Sequence, residues 1–492
     1  MRWPESLRGL RLAGLVAGLA AFLALALLDT PLARSPEWGS RPALAAAGAA
    51  LMAIWWLSEA VSIYWTACLP LLLFPLTGVF GGGFFSDLRH TVGVYIDPYL
   101  FLFAGGMAIA GAMQQWDLHR RIALTIMKAI GTDPRRLLAG FLAATAFVSL
   151  WISNTATAAM MLPIGLALVA QIERREGRRL SLYGSAVMLA IAYGANIGGI
   201  GTKIGTVPNA QFSGFMEKLG RPISFLEFAL VGFPFVVMFL PLVWLVLWRM
   251  GRKEGLGAGV GRAAIEAELA ELGPLKPAEK VILGVFSLAA TAWILSKNLA
   301  AWAQGLLPAW KITSAHVEGT VACLAAVLLL LFRAGGRQVL EWRSLKRVPW
   351  AALLLLGGGF ALAAGVQESG LSGFMGQSLS HLATLPPLAQ VLLAAVVSVA
   401  VSAVASNTST IAVLLVVLKE AVAPDLLPTV LFAATVGCSC DFALPAGTPP
   451  NAIVFGSGYL TIPRMAKTGA LLDLAAALLA GFWCWLVVDW VL

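Results

Sequence analysis

Charge is scarce in this chain. Only 12% of its 492 residues are Asp, Glu, Lys or Arg, against about a quarter in an ordinary soluble domain. So few charges cannot cover the surface of a soluble protein of this size, which excludes a cytosolic enzyme or a disordered scaffold. Histidine is scarcer still: His90, His119, His316 and His381 are scattered near loops, with no metal-ligand spacing between any two. The five cysteines lie in apolar stretches, and the Cys438-x-Cys440 pair has no second Cys or His cluster beside it. Neither a disulfide framework nor a metal centre is expected. No G-x-x-x-x-G-K-[ST] run occurs, so an ATP-driven pump is not expected. The formal net charge of +9 need not mean nucleic acid, because membrane proteins place basic excess in cytoplasmic loops.

Hydrophobic residues are what the chain has in abundance, at 59% with a mean hydropathy of +0.84. Apolar runs recur from Leu12 to the C-terminus, several near the roughly 20 residues that a crossing needs. The pattern predicts an all-α polytopic protein in a lipid bilayer. Two pairs of runs are short and meet at polar tips. The runs at 137–150 and 156–170 flank Ser153-Asn154-Thr155, and those at 388–405 and 409–418 flank Ser406-Asn407-Thr408. Read as re-entrant hairpins near 137–170 and 388–420, they leave eleven crossings, with the N-terminus inside and the C-terminus outside. The basic residues agree with that orientation, 25 on the inner side and 8 on the outer.

The halves echo each other. Each tip is followed by a second motif, Gly205-Thr206-Val207-Pro208-Asn209-Ala210 in one half and Gly447-Thr448-Pro449-Pro450-Asn451-Ala452 in the other. The predicted domains are an N-terminal helix (1–36), a first inverted repeat (37–248), a cytoplasmic linker with a surface helix (249–278) and a second inverted repeat (279–492). The stretch Tyr193–Thr202 is expected to be too glycine-rich for a continuous helix. Broken helices at membrane depth must face protein or water. Their N-termini favour an anion, and their freed carbonyls, with Ser and Asn oxygens, suit a small hard cation. Helix capping inside the bundle is the plainer reading of one such tip, but two in register point to a binding site.

The doubled S-N-T motif and the run Thr448-Pro-Pro-Asn-Ala-Ile-Val-Phe-Gly-Ser-Gly458 resemble the divalent anion:sodium symporter family over nearly the full length. The resemblance implies two inverted repeats, a homodimer with one site per protomer, and elevator motion of a transport domain against a scaffold. It implies secondary import of C4-dicarboxylates such as succinate, malate or fumarate across a bacterial inner membrane, coupled to Na+ and using no other cofactor. Exchange without sodium, proton coupling, and citrate or sulfate as substrate stay open. By the same resemblance Asn154, Thr155, Asn407, Thr408, Thr448 and Pro449 would contact substrate. Ser149, Ser153, Asn154 and Gly205 would surround one sodium, and Ser402, Ala405, Asn407 and Gly447 the other. Two residues depart from the family's apolar pattern, Lys203 and Asp441. Intramembrane charges are costly and usually functional, so both are coupling candidates; the alternatives are that they pair with each other or point to a wet vestibule.

Overall fold

The computed structural model describes residues 5–256, 262–346 and 350–492. The described residues are helical almost throughout, and the one sheet among them pairs the two-residue strands Arg333–Ala334 and Arg337–Gln338. Seven described helices are long and apolar enough to span a membrane, and the bent pair Phe84–Tyr95 with Pro98–Gln115, at 44°, adds an eighth. The other apolar helices are interrupted or short, such as Ile63–Thr77, Pro387–Ser402 and Leu427–Cys438.

Both S-N-T tips are helix breaks. The first hairpin consists of Pro134–Ser149 and Asn154–Glu176, the second of Pro387–Ser402 and Asn407–Ala421. The second arm of the first hairpin runs past the apolar end near 170 and finishes on Glu173, Arg174, Arg175 and Glu176. Basic residues in a last turn complement the helix dipole, which explains why the helix outlasts its apolar face. Between the two halves lies the helix Arg262–Leu272. Arg120 holds that helix through Glu268 and, at 2.8 Å, Glu271, while Arg121 bonds Glu279 at 2.8 Å.

The glycine-rich stretch departs from expectation. Ser181–Ile200 is one continuous helix, buried over nearly its whole length, and the chain unwinds only from Gly201. Helix propensity is overridden by packing: the glycines let the first hairpin approach at backbone distance. A Cβ on Gly198 would lie 2.2 Å from the Ala146 carbonyl oxygen. Gly198→Val is therefore expected to lose at least about 1–3 kcal/mol through overpacking, read as a fall in folded yield and melting temperature. Wild-type melting of the purified variant would refute this account of the helix.

Candidate functional site

Each tip is built by the same set of hydrogen bonds. In the first, the Ser149 hydroxyl donates to the Ala195 carbonyl at 2.7 Å and lies 2.9 Å from Asn154 Oδ1. In the second, the Ser402 hydroxyl donates to the Cys438 carbonyl at 2.6 Å and lies 3.1 Å from Asn407 Oδ1. A hydroxyl has one proton, so lone pairs remain on the serine and asparagine oxygens. The downstream motifs repeat as well. Asn209 Nδ2 donates to the Gly199 and Thr202 carbonyls at 2.9 and 2.7 Å. Asn451 Nδ2 donates to the Asp441 and Leu444 carbonyls, both at 3.0 Å. Each asparagine thus ties down the unwound chain ahead of its own G-T-x-P motif.

The two halves interlock around these segments. Asn196 Nδ2 donates to Thr448 Oγ1 at 3.0 Å and the Tyr193 hydroxyl to the Phe442 carbonyl at 3.0 Å. Helix Asn154–Glu176 packs on Pro449–Phe455, and Val207–Lys218 packs on Asn407–Ala421. Every hairpin arm that starts at a tip therefore touches the short helix of the other half.

Burial grades the candidate residues by depth. Thr155 and Pro449 are exposed, and Ser153, Asn154, Asn407 and Thr408 are half-buried. Ser149, Gly205, Ser402, Ala405, Gly447 and Thr448 are buried behind them. Neither arm beginning at a tip has a side-chain cap, so first-turn N–H groups are left for an anion. Behind this rim are buried oxygens that accept no hydrogen bond of good geometry among the described residues: Asn196 Oδ1, Asn209 Oδ1, Asn451 Oδ1 and both carboxylate oxygens of Asp441. A carboxylate ligand brings only acceptors and would leave these oxygens unsatisfied. Cations satisfy them. The deep layer therefore fits small hard cations, which take oxygen ligands, and the rim fits an anion.

Lys203 and Asp441 do not meet. The Lys203 ammonium, fully buried, forms an ion pair with the equally buried Glu318 at 2.8 Å, and it also donates to the Ile223 carbonyl. Glu318 Oε1 in turn accepts from Phe225 N at 2.7 Å and from the Ser296 hydroxyl at 2.8 Å. Of the alternatives for these residues, pairing with each other is not what the structure shows: the helix Ser314–Leu331 brings a carboxylate to Lys203 first. Glu318 escaped the sequence reading, although a lone acid in the run Val317-Glu-Gly-Thr-Val-Ala-Cys323 is a signal of the same kind. Asp473, in the apolar helix Ile462–Val491, escaped it too; its Oδ1 accepts from Phe442 N at 2.6 Å. At the surfaces, Glu59 bonds Arg11 at 3.3 Å and Glu368 bonds His90 at 3.0 Å. A cleft of about 690 Å³ lined by Arg89, His90, Asp97, Lys218 and Glu368 lies apart from the tips, none of whose residues lines it.

Broken helices interlocked in pairs, with uncapped helix starts over buried oxygens that lack donors, match the build of a secondary transporter. The chain belongs to the sodium:sulfate symporter family, whose transmembrane region matches residues 11–491. It is a multi-pass helical membrane transporter. Among its relatives is the sodium-dependent dicarboxylate transporter SdcS of Staphylococcus saprophyticus, 36% identical over 477 residues, which cover 94% of this chain and 89% of that protein. The SdcS of Staphylococcus aureus strain NCTC 8325 is 36% identical over 441 residues, covering 87% and 82%. In fold, the chain resembles the crystal structure of the Alcanivorax borkumensis YdaH transporter, with a TM-score of 0.55 over 87% of this chain and 97% of that one, at 15% identity.

Proposed function

We propose that this protein imports small C4-dicarboxylates across a bacterial inner membrane by symport with Na+. The observation that carries the proposal is the layering of the site. Two uncapped helix starts offer N–H groups at the rim, and unpartnered buried oxygens lie directly behind. Two facing rims fit the two ends of a short dicarboxylate, and the oxygens behind them fit the cations that neutralise it. The relatives named as sodium-dependent dicarboxylate transporters support the same reading. In this proposal Asn154, Thr155, Asn407, Thr408, Thr448 and Pro449 contact the substrate. Ser149, Ser153, Asn154 and Gly205 hold one sodium, and Ser402, Ala405, Asn407 and Gly447 the other. The protein works as a homodimer of two inverted repeats with re-entrant hairpins, eleven crossings and a cytoplasmic N-terminus, and the tips move as an elevator.

Sodium coupling is favoured over exchange by the position of Lys203. An ammonium engaged with Glu318 is not free to stand in for a cation at the tip. Purified protein in liposomes is expected to accumulate radiolabelled succinate under an inward Na+ gradient, and to do so far less under an inward H+ gradient or with succinate loaded inside. Uptake only with internal succinate would replace symport by exchange. Uptake only with the proton gradient would replace sodium by the proton.

A further inference from the structure

We infer that the Asp441 carboxylate is a ligand of the cation at the second tip, so that the two cation sites are chemically unequal, the first neutral and the second anionic. The inference rests on the transport reading above and adds a residue to it.

The internal repeat locates Asp441. Asn209 reaches back ten residues to the Gly199 carbonyl and seven to that of Thr202. Asn451 reaches back ten residues to the Asp441 carbonyl and seven to that of Leu444. Asp441 therefore occupies in the second half the place that Gly199 occupies in the first. At Gly199 a Cβ would lie 2.3 Å from Asn154 Oδ1, so the first tip closes directly on its asparagine and leaves no room for a side chain. At the second tip a carboxylate fills the equivalent space. It lies against the Ser402 hydroxyl and the Asn407 amide, and its Oδ2 is 2.8 Å from where a Cβ on Gly447 would stand.

The carboxylate is 1% exposed, and neither oxygen accepts a well-formed hydrogen bond among the described residues, the Asn407 and Ser402 side chains being the polar groups nearest to it. The Ser402 proton already goes to the Cys438 carbonyl, and the Asn451 amide is spent on backbone carbonyls. The other charged group near it, Asp473, is also an acid and is engaged with Phe442 N. A carboxylate left in this state is far costlier than a neutral group. A small cation held by Asp441, Ser402 Oγ and Asn407 Oδ1 offsets that cost, and it does so with hard oxygen ligands of the kind Na+ takes. Gly447, with no side chain, leaves open the space beside Asp441 Oδ2.

The test is cation binding without substrate. Purified protein is melted in detergent at increasing NaCl, with choline chloride holding the ionic strength, and radioactive 22Na+ binding is measured beside it. Wild type is expected to be stabilised by Na+. Asp441→Asn, and Asp441→Gly as the variant that copies the first tip, are expected to need at least tenfold more Na+ for half-maximal stabilisation. In choline both are expected to melt no lower than wild type, because the unpaired charge is gone. An unchanged Na+ midpoint in a folded variant overturns the role of Asp441 and leaves sodium symport standing. If wild type answers to Li+ or K+ but not Na+, and the variants lose that answer, Asp441 keeps its role and sodium coupling falls. No response of wild type to any of these cations overturns the role outright, while succinate uptake in liposomes independently judges the substrate.

Discussion

Asn154→Ala and Asn407→Ala are each expected to lower succinate uptake by roughly 10- to 100-fold in folded protein. Each asparagine stands at the start of an uncapped helix, half-exposed at the rim, with its Oδ1 beside a buried serine hydroxyl. In the transport reading proposed above, one side chain would serve both layers of the site, its amide N–H toward the anion and its oxygen toward the cation. A hydrogen bond to a charged group contributes about 1.5–3 kcal/mol, and about 1.4 kcal/mol is tenfold. Losing one such bond gives the lower part of that range, and losing the linked cation ligand gives the upper part. Ser149→Ala and Ser402→Ala should act differently, because those hydroxyls are buried behind the rim. They are expected to raise the Na+ concentration needed for half-maximal uptake while leaving substrate affinity at saturating Na+ near wild type. Uptake within threefold of wild type in both asparagine variants would remove the tips from the substrate path.

The Lys203–Glu318 pair is expected to have the largest effect on stability. Both side chains are fully buried, and removing one partner of such a pair typically costs about 3–5 kcal/mol because it strands the other charge. Lys203→Met should therefore melt far below wild type. Glu318→Gln alone should do nearly as badly, since it strands the ammonium. In the double variant no charge remains, and the amide oxygen introduced by Glu318→Gln can still accept from Phe225 N and the Ser296 hydroxyl. The double variant is expected to recover most of the loss, a coupling of several kcal/mol in the cycle. Additive losses would mean that the pair is not what holds these helices together. The same double variant separates structure from coupling: if the pair only braces the fold, its Na+ dependence of uptake equals that of wild type. A shifted dependence would return Lys203 to the coupling mechanism.

Much of the site could be read without coordinates. Ser153-Asn154-Thr155 and Ser406-Asn407-Thr408 break apolar runs in similar ways, and both are helix breaks in the structure. The G-T-x-P motifs end in asparagines that make matching backbone bonds in each half. These features are legible because they are local: a polar tip between two apolar runs has few ways to satisfy its backbone in a membrane. The stretch Tyr193–Thr202 misled over its residues 193–200, which are helical, for the complementary reason. Propensity counts glycines against a helix, but Gly198 lies at backbone distance from Ala146, and that contact with the first hairpin is worth more than the propensity it costs.

By itself, then, the sequence determined that the chain lives in a membrane, where its helices break, and that the breaks come in matched pairs, because hydropathy and spacing act over a few turns of chain. Only the tertiary structure decided which charges meet. Lys203 finds Glu318 115 residues away, and Asp441 is left beside the Ser402 and Asn407 side chains. An isolated buried charge takes whichever opposite charge or ligand the packed helices bring within a few ångströms, and that distance is set by helices far apart in the chain.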